Sequence, residues 1–181
     1  MASGDTKVTI VNQALVLLGS DTISSFSDTT NDAARIADSI YETIKGKTLS
    51  LYPWSFALVK EQLARSTATP VNEWTYLYPL PSTAVSGTAL QVYNSSSTRV
   101  LPIQSYELVH TSSGPAIATN EANIYIDYIS GDVSEGVMPN YFVQLLVYML
   151  AWHLAEPVTD QITKAEYWRG VALGSLTENG R

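Results

Sequence analysis

The sequence predicts an α+β fold, in which four helices form a bundle and a small antiparallel β-sheet or barrel is inserted between the second and third helices. Two segments with helical periodicity precede a long segment with strand-like alternation, and two more helical segments follow it. Only two residues between Tyr141 and Ala155 are not apolar, and a helix that is apolar all round must be covered on every side. We therefore expect an N-terminal helical part over residues 1–66, a β-rich subdomain over 67–137 and C-terminal helices over 138–181 that complete the bundle.

Two helices are predicted near the N-terminus. The first covers residues 5–18 and ends at Gly19, where a left-handed backbone conformation favours glycine. The second covers residues 28–50, and its acidic start suits the positive end of the helix dipole. The positions predicted to face the core are Val8, Val11, Leu15 and Leu18 in the first helix and Ala33, Ile36, Ala37, Ile40, Tyr41 and Ile44 in the second.

The middle of the chain is predicted to consist of short strands. Residues 67–120 are rich in proline, serine and threonine and carry few charges. Trp74, Tyr76 and Tyr78 alternate at a period of two, which predicts an aromatic ladder along one side of a strand. The segment that starts at Trp54 is predicted to be a short helix or turn. The further strands are predicted over Leu90–Tyr93 and Arg99–Leu101, which flank a polar turn, and over Gln104–His110, Pro115–Ala118 and Asn123–Ile129.

Prolines bound the third predicted helix. Pro139 suits the first turn of a helix, and Pro157 cannot continue one. The helix is shorter than the roughly 20 apolar residues that a bilayer span needs, so the rest of the chain, another copy or both must cover it. Asp160 is predicted to cap the final helix, whose stripe comprises Ile162, Ala165, Trp168, Arg169, Ala172 and Leu176.

The composition favours a protein that assembles with other chains. Charged residues make up 15% of the chain, well under the roughly 25% of a typical soluble domain, and protein interfaces are depleted of charge. Tyrosine and tryptophan, which anchor interfaces, number 11 and 4. The interface residues that we predict are Trp54, Trp74, Tyr76, Tyr78, Trp168, Arg169 and Leu176.

Charge and residue types exclude several classes of function. The net charge of −7 disfavours gripping nucleic acid, because an acidic surface repels phosphate. The chain has no cysteine, and therefore no disulfide framework or thiolate metal site. The N-terminal sequence lacks the apolar run of a signal peptide, and no segment is predicted to span a membrane. We predict no cofactor and no metal.

Two patterns could carry chemistry, and neither is specific. His153 and Glu156 form an i, i+3 pair, but a helical metal site needs further carboxylates or histidines from facing helices, and a lone histidine on an apolar face is usually a core residue. The predicted strand ends carry several acids, namely Glu107, Glu121, Asp127, Asp132 and Glu135. Two such acids could form the acid/base pair of a glycosidase, so a carbohydrate-active hydrolase that uses the aromatic ladder remains the alternative function.

Four sequence blocks resemble a known family. Leu51–Ala57 followed by Leu63-Ala64 is similar to the HPW-x-FA…LA segment of bacteriophage tail tubular protein A and related head-to-tail adaptors, also called connector or head-completion proteins. Trp74–Pro81 resembles the W-x-Y-x-Y-x-LP block of that family. Asn12–Gly19 and Leu154–Thr159 resemble its N-x-AL…LG opening and its LA-x-P-x-T break. The departures are Tyr52, where the family commonly has His, and Thr83 and Val85, where it often has Asp and Leu.

The resemblance implies a virion structural protein rather than an enzyme. Members of the family form a ring, typically of twelve subunits, between the portal and the tail, and DNA passes through the lumen during ejection. The helical part would dock on the portal, and the C-terminal segment is a common contact element. The strand-rich part would face neighbouring subunits or the tail (nozzle) protein. The expected location is therefore the head–tail junction, with a homo-oligomeric ring, the portal and the tail as partners and without sequence-specific DNA binding. A siphovirus-type head-completion protein would keep this role and change only the partner.

Overall fold

The computed structural model describes residues 4–28, 31–70, 73–97 and 100–174. The chain divides into a helical unit, Met1–Thr48 with Val133–Arg181, and a β-rich unit, Leu49–Asp132. The helices are α1 (Lys7–Leu18), α2 (Asp32–Ser50), α3 (Asn140–Thr159) and α4 (Ile162–Leu173). The strands are β1 (Leu58–Gln62), β2 (Tyr76–Pro79), β3 (Gln91–Tyr93), β4 (Tyr106–Thr111), β5 (Gly114–Thr119) and β6 (Tyr125–Ile129).

The protein is α+β, but the predicted four-helix bundle with one inserted sheet or barrel is wrong. The strands form two separate three-stranded antiparallel sheets, in the orders β1-β6-β3 and β2-β5-β4. Among the described helices, extensive side-by-side packing is confined to α3, which lies against α1 and α4. Every helix of a bundle buries an apolar stripe in a shared core, whereas α4 has no buried residue over Ile162–Leu173. The periodicity of α4 therefore predicted a helix correctly and its burial incorrectly.

Helix α1 forms where the sequence predicts it. Thr6 is the N-cap, and a capping box joins its side chain and backbone to those of Thr9. Gly19 has φ of 70° at the C-cap, a left-handed conformation that glycine adopts without steric cost. The buried face comprises Ile10, Val11, Ala14, Leu15 and Leu18. Local capping chemistry thus fixes both ends of α1.

Helix α2 buries a more polar face than its periodicity predicts. The buried apolar residues are Ala34, Ala37, Tyr41, Ile44 and Leu49, and the polar side chains of Lys45 and Thr48 are buried as well. Ala33, Ile36 and Ile40, which were predicted to face the core, are only half-buried. An isolated charged side chain in a core is costly, so Lys45 must have a partner there.

The break between α3 and α4 differs from the prediction. Pro157 lies inside α3, which continues to Thr159. Asp160 is the C-cap of α3, with φ of 52°, and is not the cap of α4; that position belongs to Gln161, which makes no capping hydrogen bond with its side chain. A proline removes one hydrogen bond donor from the helix, and only two further residues remain in α3 after it.

The β-rich unit has one main core that is shared by both of its sheets. Tyr78 and Ile117 from one sheet pack in the same cluster as Val92, Ile126 and Tyr128 from the other. Strand β1 follows a single 3₁₀ turn at Ser55–Ala57 and was not predicted, because its alternation is too short and too polar to stand out. β1 pairs with β6 in antiparallel register, with Lys60 opposite Asp127.

The smaller apolar cluster of this unit lies on the other side of β2. It contains Leu77, Ala116 and Ala118, and Trp74 packs against it. Tyr76 and Tyr78 belong to the main core instead. Trp74 precedes β2 and does not follow its alternation, so the predicted three-residue aromatic ladder is wrong. The predicted turn Asn94–Thr98 and the predicted strand Arg99–Leu101 meet at residues 98 and 99, which lie outside the described residues. Residues 100 and 101 are not in a strand, and β3 pairs with β6 instead.

Candidate interaction surfaces

Helices α3 and α4 meet through aromatic rings and one cationic side chain. Trp168 stacks on Tyr148 with ring centroids 5.7 Å apart, and Tyr167 meets the edge of Trp168 at 5.0 Å. The guanidinium of Arg169 lies 5.9 Å from the centroid of the Trp152 ring, within the range of a cation–π contact. We call these five residues the α3–α4 aromatic surface. Two of its members, Trp168 and Arg169, are residues that the sequence analysis proposed for an interface.

Helix α4 exposes several large apolar side chains to solvent. Tyr167 is 63% exposed and Ile162 is 59% exposed, and Val171 and Leu173 are exposed as well. At the start of the helix, the Lys164 ammonium donates a 2.7 Å hydrogen bond to the carbonyl of Leu18 at the C-terminal end of α1, where the helix dipole favours a cation. Helix α4 is therefore held by contacts of Trp168, Arg169 and Lys164, while several of its large apolar side chains stay exposed.

Trp54 belongs to a second aromatic group, in the β-rich unit. Its ring lies 5.4 Å from that of Tyr52 and 6.1 Å from that of Phe56. Trp54 and Phe56 are half-buried, whereas Tyr52 is 62% exposed. Pro53 lies between Tyr52 and Trp54, three residues after α2 ends at Ser50, and restricts the backbone of this aromatic group.

The other candidate residues of the β-rich unit have partners within that unit. The indole N–H of Trp74 donates to Glu107 over 2.9 Å, and the Arg65 guanidinium lies 4.8 Å from the Tyr76 ring centroid. The Tyr78 hydroxyl donates to the carbonyl of Glu121, and burial raises the pKa of Tyr78. Tyr78 is therefore a core residue, while Trp74 and Tyr76 are half-buried. Leu176, the last interface residue that was predicted, lies outside the described residues.

Three of the five acids that were predicted at the strand ends each bind a different partner. Glu107 binds Trp74, Asp127 pairs with Lys60, and Glu135 pairs with Lys45 in the other compact unit. A glycosidase needs two carboxyl groups within about 5–10 Å of one another across the scissile bond. The partners that these three acids bind are structural groups of the chain, which favours a structural role for each.

The two histidines occupy different environments. Nδ1 of His153 lies 2.8 Å from the carbonyl of Met149, so this nitrogen donates its proton along the helix, and burial lowers the pKa of His153. His110 is exposed on β4 opposite Pro115. In the part of the chain that the structure describes, no group of three or more histidine, aspartate and glutamate side chains could hold a metal ion.

A buried ion pair escaped the sequence analysis. The Lys45 ammonium lies 2.9 Å from Glu135 Oε1, which also accepts a 3.3 Å hydrogen bond from the Tyr41 hydroxyl. Burial acts to raise the pKa of Glu135, but the hydrogen bonds from Lys45 and Tyr41 outweigh it and lower that pKa. Burial also raises the pKa of Tyr41. The sequence does hold a sign of this ion pair. Lys45 lies four residues after Tyr41 and directly after Ile44, beside the apolar stripe that the helix buries.

Comparisons with protein-family models and with curated protein sequences give no match to this chain. No helix within residues 4–28, 31–70, 73–97 and 100–174 is long and apolar enough to cross a membrane.

Proposed function

We propose that this chain is a bacteriophage head-to-tail adaptor, a non-enzymatic virion protein that forms a ring between portal and tail. The observation that carries the proposal is the set of large apolar side chains that α4 exposes, in a helix with no buried residue of its own over Ile162–Leu173. Exposed apolar patches of this kind mark protein contacts in soluble chains. The four-block resemblance suggests the portal as the partner at this surface, because the C-terminal segment of such adaptors is a common portal contact.

The α3–α4 aromatic surface has the chemistry of an interface anchor. Tryptophan, tyrosine and arginine carry most of the binding energy at protein interfaces. Tyr167 and Arg169 are exposed. Tyr167 packs against the half-buried Trp168, which stacks on Tyr148, and Arg169 lies over the Trp152 ring. A docking portal would need to order few side chains here, because the rings are already packed against one another.

The charge of the chain suits a channel wall. With a net charge of −7, a ring of these subunits repels the phosphates of DNA and does not retain the polymer as it passes. The low charged fraction of 15% suits surfaces that adjacent subunits or the tail protein would cover.

The hydrolase alternative has less support, because Glu107, Asp127 and Glu135 are bound by tryptophan or lysine side chains. A glycan-hydrolysis screen with Asp127→Asn and Glu121→Gln separates the two functions. The adaptor proposal expects no turnover from the unchanged chain. Turnover that both substitutions abolish would replace the adaptor proposal with the hydrolase.

The adaptor proposal is tested by co-sedimentation with the portal protein encoded in the same genome. We expect the unchanged chain to co-sediment and Tyr167→Ser with Arg169→Ala to weaken the complex at least about tenfold, since each anchor residue typically contributes 1–2 kcal/mol or more. Leu108→Ser, which removes an exposed apolar side chain from β4, is the matched control and should leave portal binding intact. Absence of co-sedimentation, or equal binding by all variants, would contradict the proposed surface.

A further inference from the structure

A cleft whose lining combines polar and apolar groups lies on the face of the β1-β6-β3 sheet that points away from the core. Antiparallel pairing places Lys60, Asp127 and Gln91 in one row across the sheet and aligns Gln62, Tyr125 and Tyr93 in the next. Ile126 and Val92, which alternate with these residues, belong to the core on the opposite face. The cleft encloses about 620 Å³, a volume within the usual range of small-molecule sites, and Ser95–Ser97, Val100 and Pro102 complete its lining.

The polar groups on the floor of the cleft are held in place by one another. The Lys60 ammonium pairs with Asp127, whose side chain is only 10% exposed. The Tyr93 hydroxyl lies 3.5 Å from the same carboxylate and donates to the amide oxygen of Gln91. The Lys60 ammonium also lies 5.9 Å from the centroid of the Tyr93 ring. A ligand would therefore meet a network that is already ordered, which lowers the entropic cost of binding.

The charges around the cleft select against an ionic ligand. Among the residues that the structure describes, its lining carries one cation, Lys60, and two anions, Glu61 and Asp127, in a chain whose net charge is −7. An anion would be repelled by that balance. An organic cation would have to compete with Lys60 for Asp127, whose carboxylate is only 10% exposed and is already neutralised by that pair. The cleft therefore suits a neutral ligand.

The remaining chemistry fits a ligand with hydroxyl groups and apolar faces. Glutamine and serine side chains both donate and accept hydrogen bonds, and Gln62, Gln91 and Ser95–Ser97 supply them. Tyr93 and Tyr125 add aromatic rings with polar tips, which pack against C–H groups while the hydroxyl stays hydrogen-bonded. We propose that this cleft is a binding site for a short neutral saccharide, a function that goes beyond the adaptor role and requires no hydrolysis.

The test is ligand-detected NMR and calorimetry on the isolated chain with three neutral probes: maltotriose, cellotriose and triacetylchitotriose. We expect at least one probe to bind with a Kd of about 1 mM or tighter, as a shallow polar site allows. No binding by any of the three at about 10 mM would overturn the proposal. Because the portal is absent from this experiment, its failure leaves the adaptor proposal untouched, and the reverse also holds.

Substitutions in the cleft test whether the saccharide binds there. Tyr93→Ala should weaken the bound probe by roughly tenfold, and Gln91→Ala, at an exposed position, provides a second cleft variant that spares the core. Tyr167→Ala on α4 is the matched tyrosine control and should bind like the unchanged chain. Equal affinity in both cleft variants would place the saccharide elsewhere and overturn the proposal.

Discussion

At the scale of single residues, the polar contact that depends most on its partners joins Lys45, Glu135 and Tyr41. Lys45 is 7% exposed, so its charge is tolerated only while a carboxylate lies beside it. Glu135 belongs to the connection that enters α3, and the pair joins this connection to α2 across 90 residues of sequence. Removing one partner leaves the other charge largely buried, whereas removing both avoids that penalty.

We expect Glu135→Gln to lower the free energy of unfolding by about 2–3 kcal/mol, at the low end for buried pairs because the Glu135 side chain keeps 21% of its exposure. Lys45→Met combined with Glu135→Met should cost less than the sum of the two single changes. Urea unfolding at neutral pH measures the unchanged chain, Glu135→Gln, the two methionine single variants and the double methionine variant. Strict additivity of the two changes would show that the pair is not coupled.

His153 should make stability depend on pH. Its folded pKa lies below the ordinary value of 6.5, so the unfolded chain binds the proton more readily. The stability due to neutral His153 is therefore present above pH 6.5 and is lost as the pH falls toward the folded pKa. We expect unfolding midpoints of the unchanged chain to fall between about pH 7 and pH 5.

The variant His153→Gln should have a shallower pH dependence over this range, because glutamine does not titrate. The same change at the other histidine, His110→Gln, controls for loss of a histidine from the exposed strand β4 and should keep the slope of the unchanged chain. A slope that survives His153→Gln would assign the pH dependence to other groups. Glu135 does not contribute to this pH dependence between about pH 7 and pH 5. Its pKa lies below the ordinary 4.5, so the stability that ionised Glu135 provides is lost only at lower pH.

At the scale of elements, the end of α3 stores a small amount of strain. Asp160 has φ of 52°, a left-handed conformation that costs most residues about 1 kcal/mol. We expect Asp160→Gly to raise the free energy of unfolding by about 0.5–1 kcal/mol and Asp160→Ala to lower it, since alanine tolerates this conformation less well than aspartate. Thermal unfolding of the two variants checks the order. Destabilisation by glycine would mean that the aspartate side chain contributes more than the strain costs.

The elements that sequence predicted well are those with local determinants. The capping box at Thr6 and the glycine at position 19 define α1 without reference to the rest of the chain. Strand β1 was missed because its residues are short of apolar alternation and mostly exposed, and because it pairs with β6, a partner more than sixty residues away. Asp127 carried a usable signal, since a charged residue within an apolar strand requires a counter-ion, which is Lys60.

Among the candidate site residues, Trp168 and Arg169 were proposed both by the periodicity of the last helix and by their residue types. Both belong to the α3–α4 aromatic surface, and their role in an interface stays a prediction. Alternation grouped Trp74 with Tyr76 and Tyr78, although Trp74 packs on the opposite side of β2. A period of two applies only within a strand, and the sequence does not show that β2 begins at Tyr76.

At the scale of the whole molecule, the order of helical and strand-like segments predicted the α+β class but not the arrangement of its elements. Six strands can form one sheet, a barrel or two sheets from the same residues, and the choice depends on long-range pairings that local patterns do not encode. The predicted bundle failed at α4, because apolar spacing in the sequence does not show whether a helix is buried. Among the described residues, α4 keeps several large apolar side chains exposed.

The measurement that tests the adaptor role most directly is electron microscopy of the portal protein encoded in the same genome, imaged alone and after mixing with this chain. The proposal predicts a ring of added density at one end of the portal, with a central channel wide enough for duplex DNA and α4 at the contact. Portal particles that look the same with and without a saturating amount of the chain would contradict it.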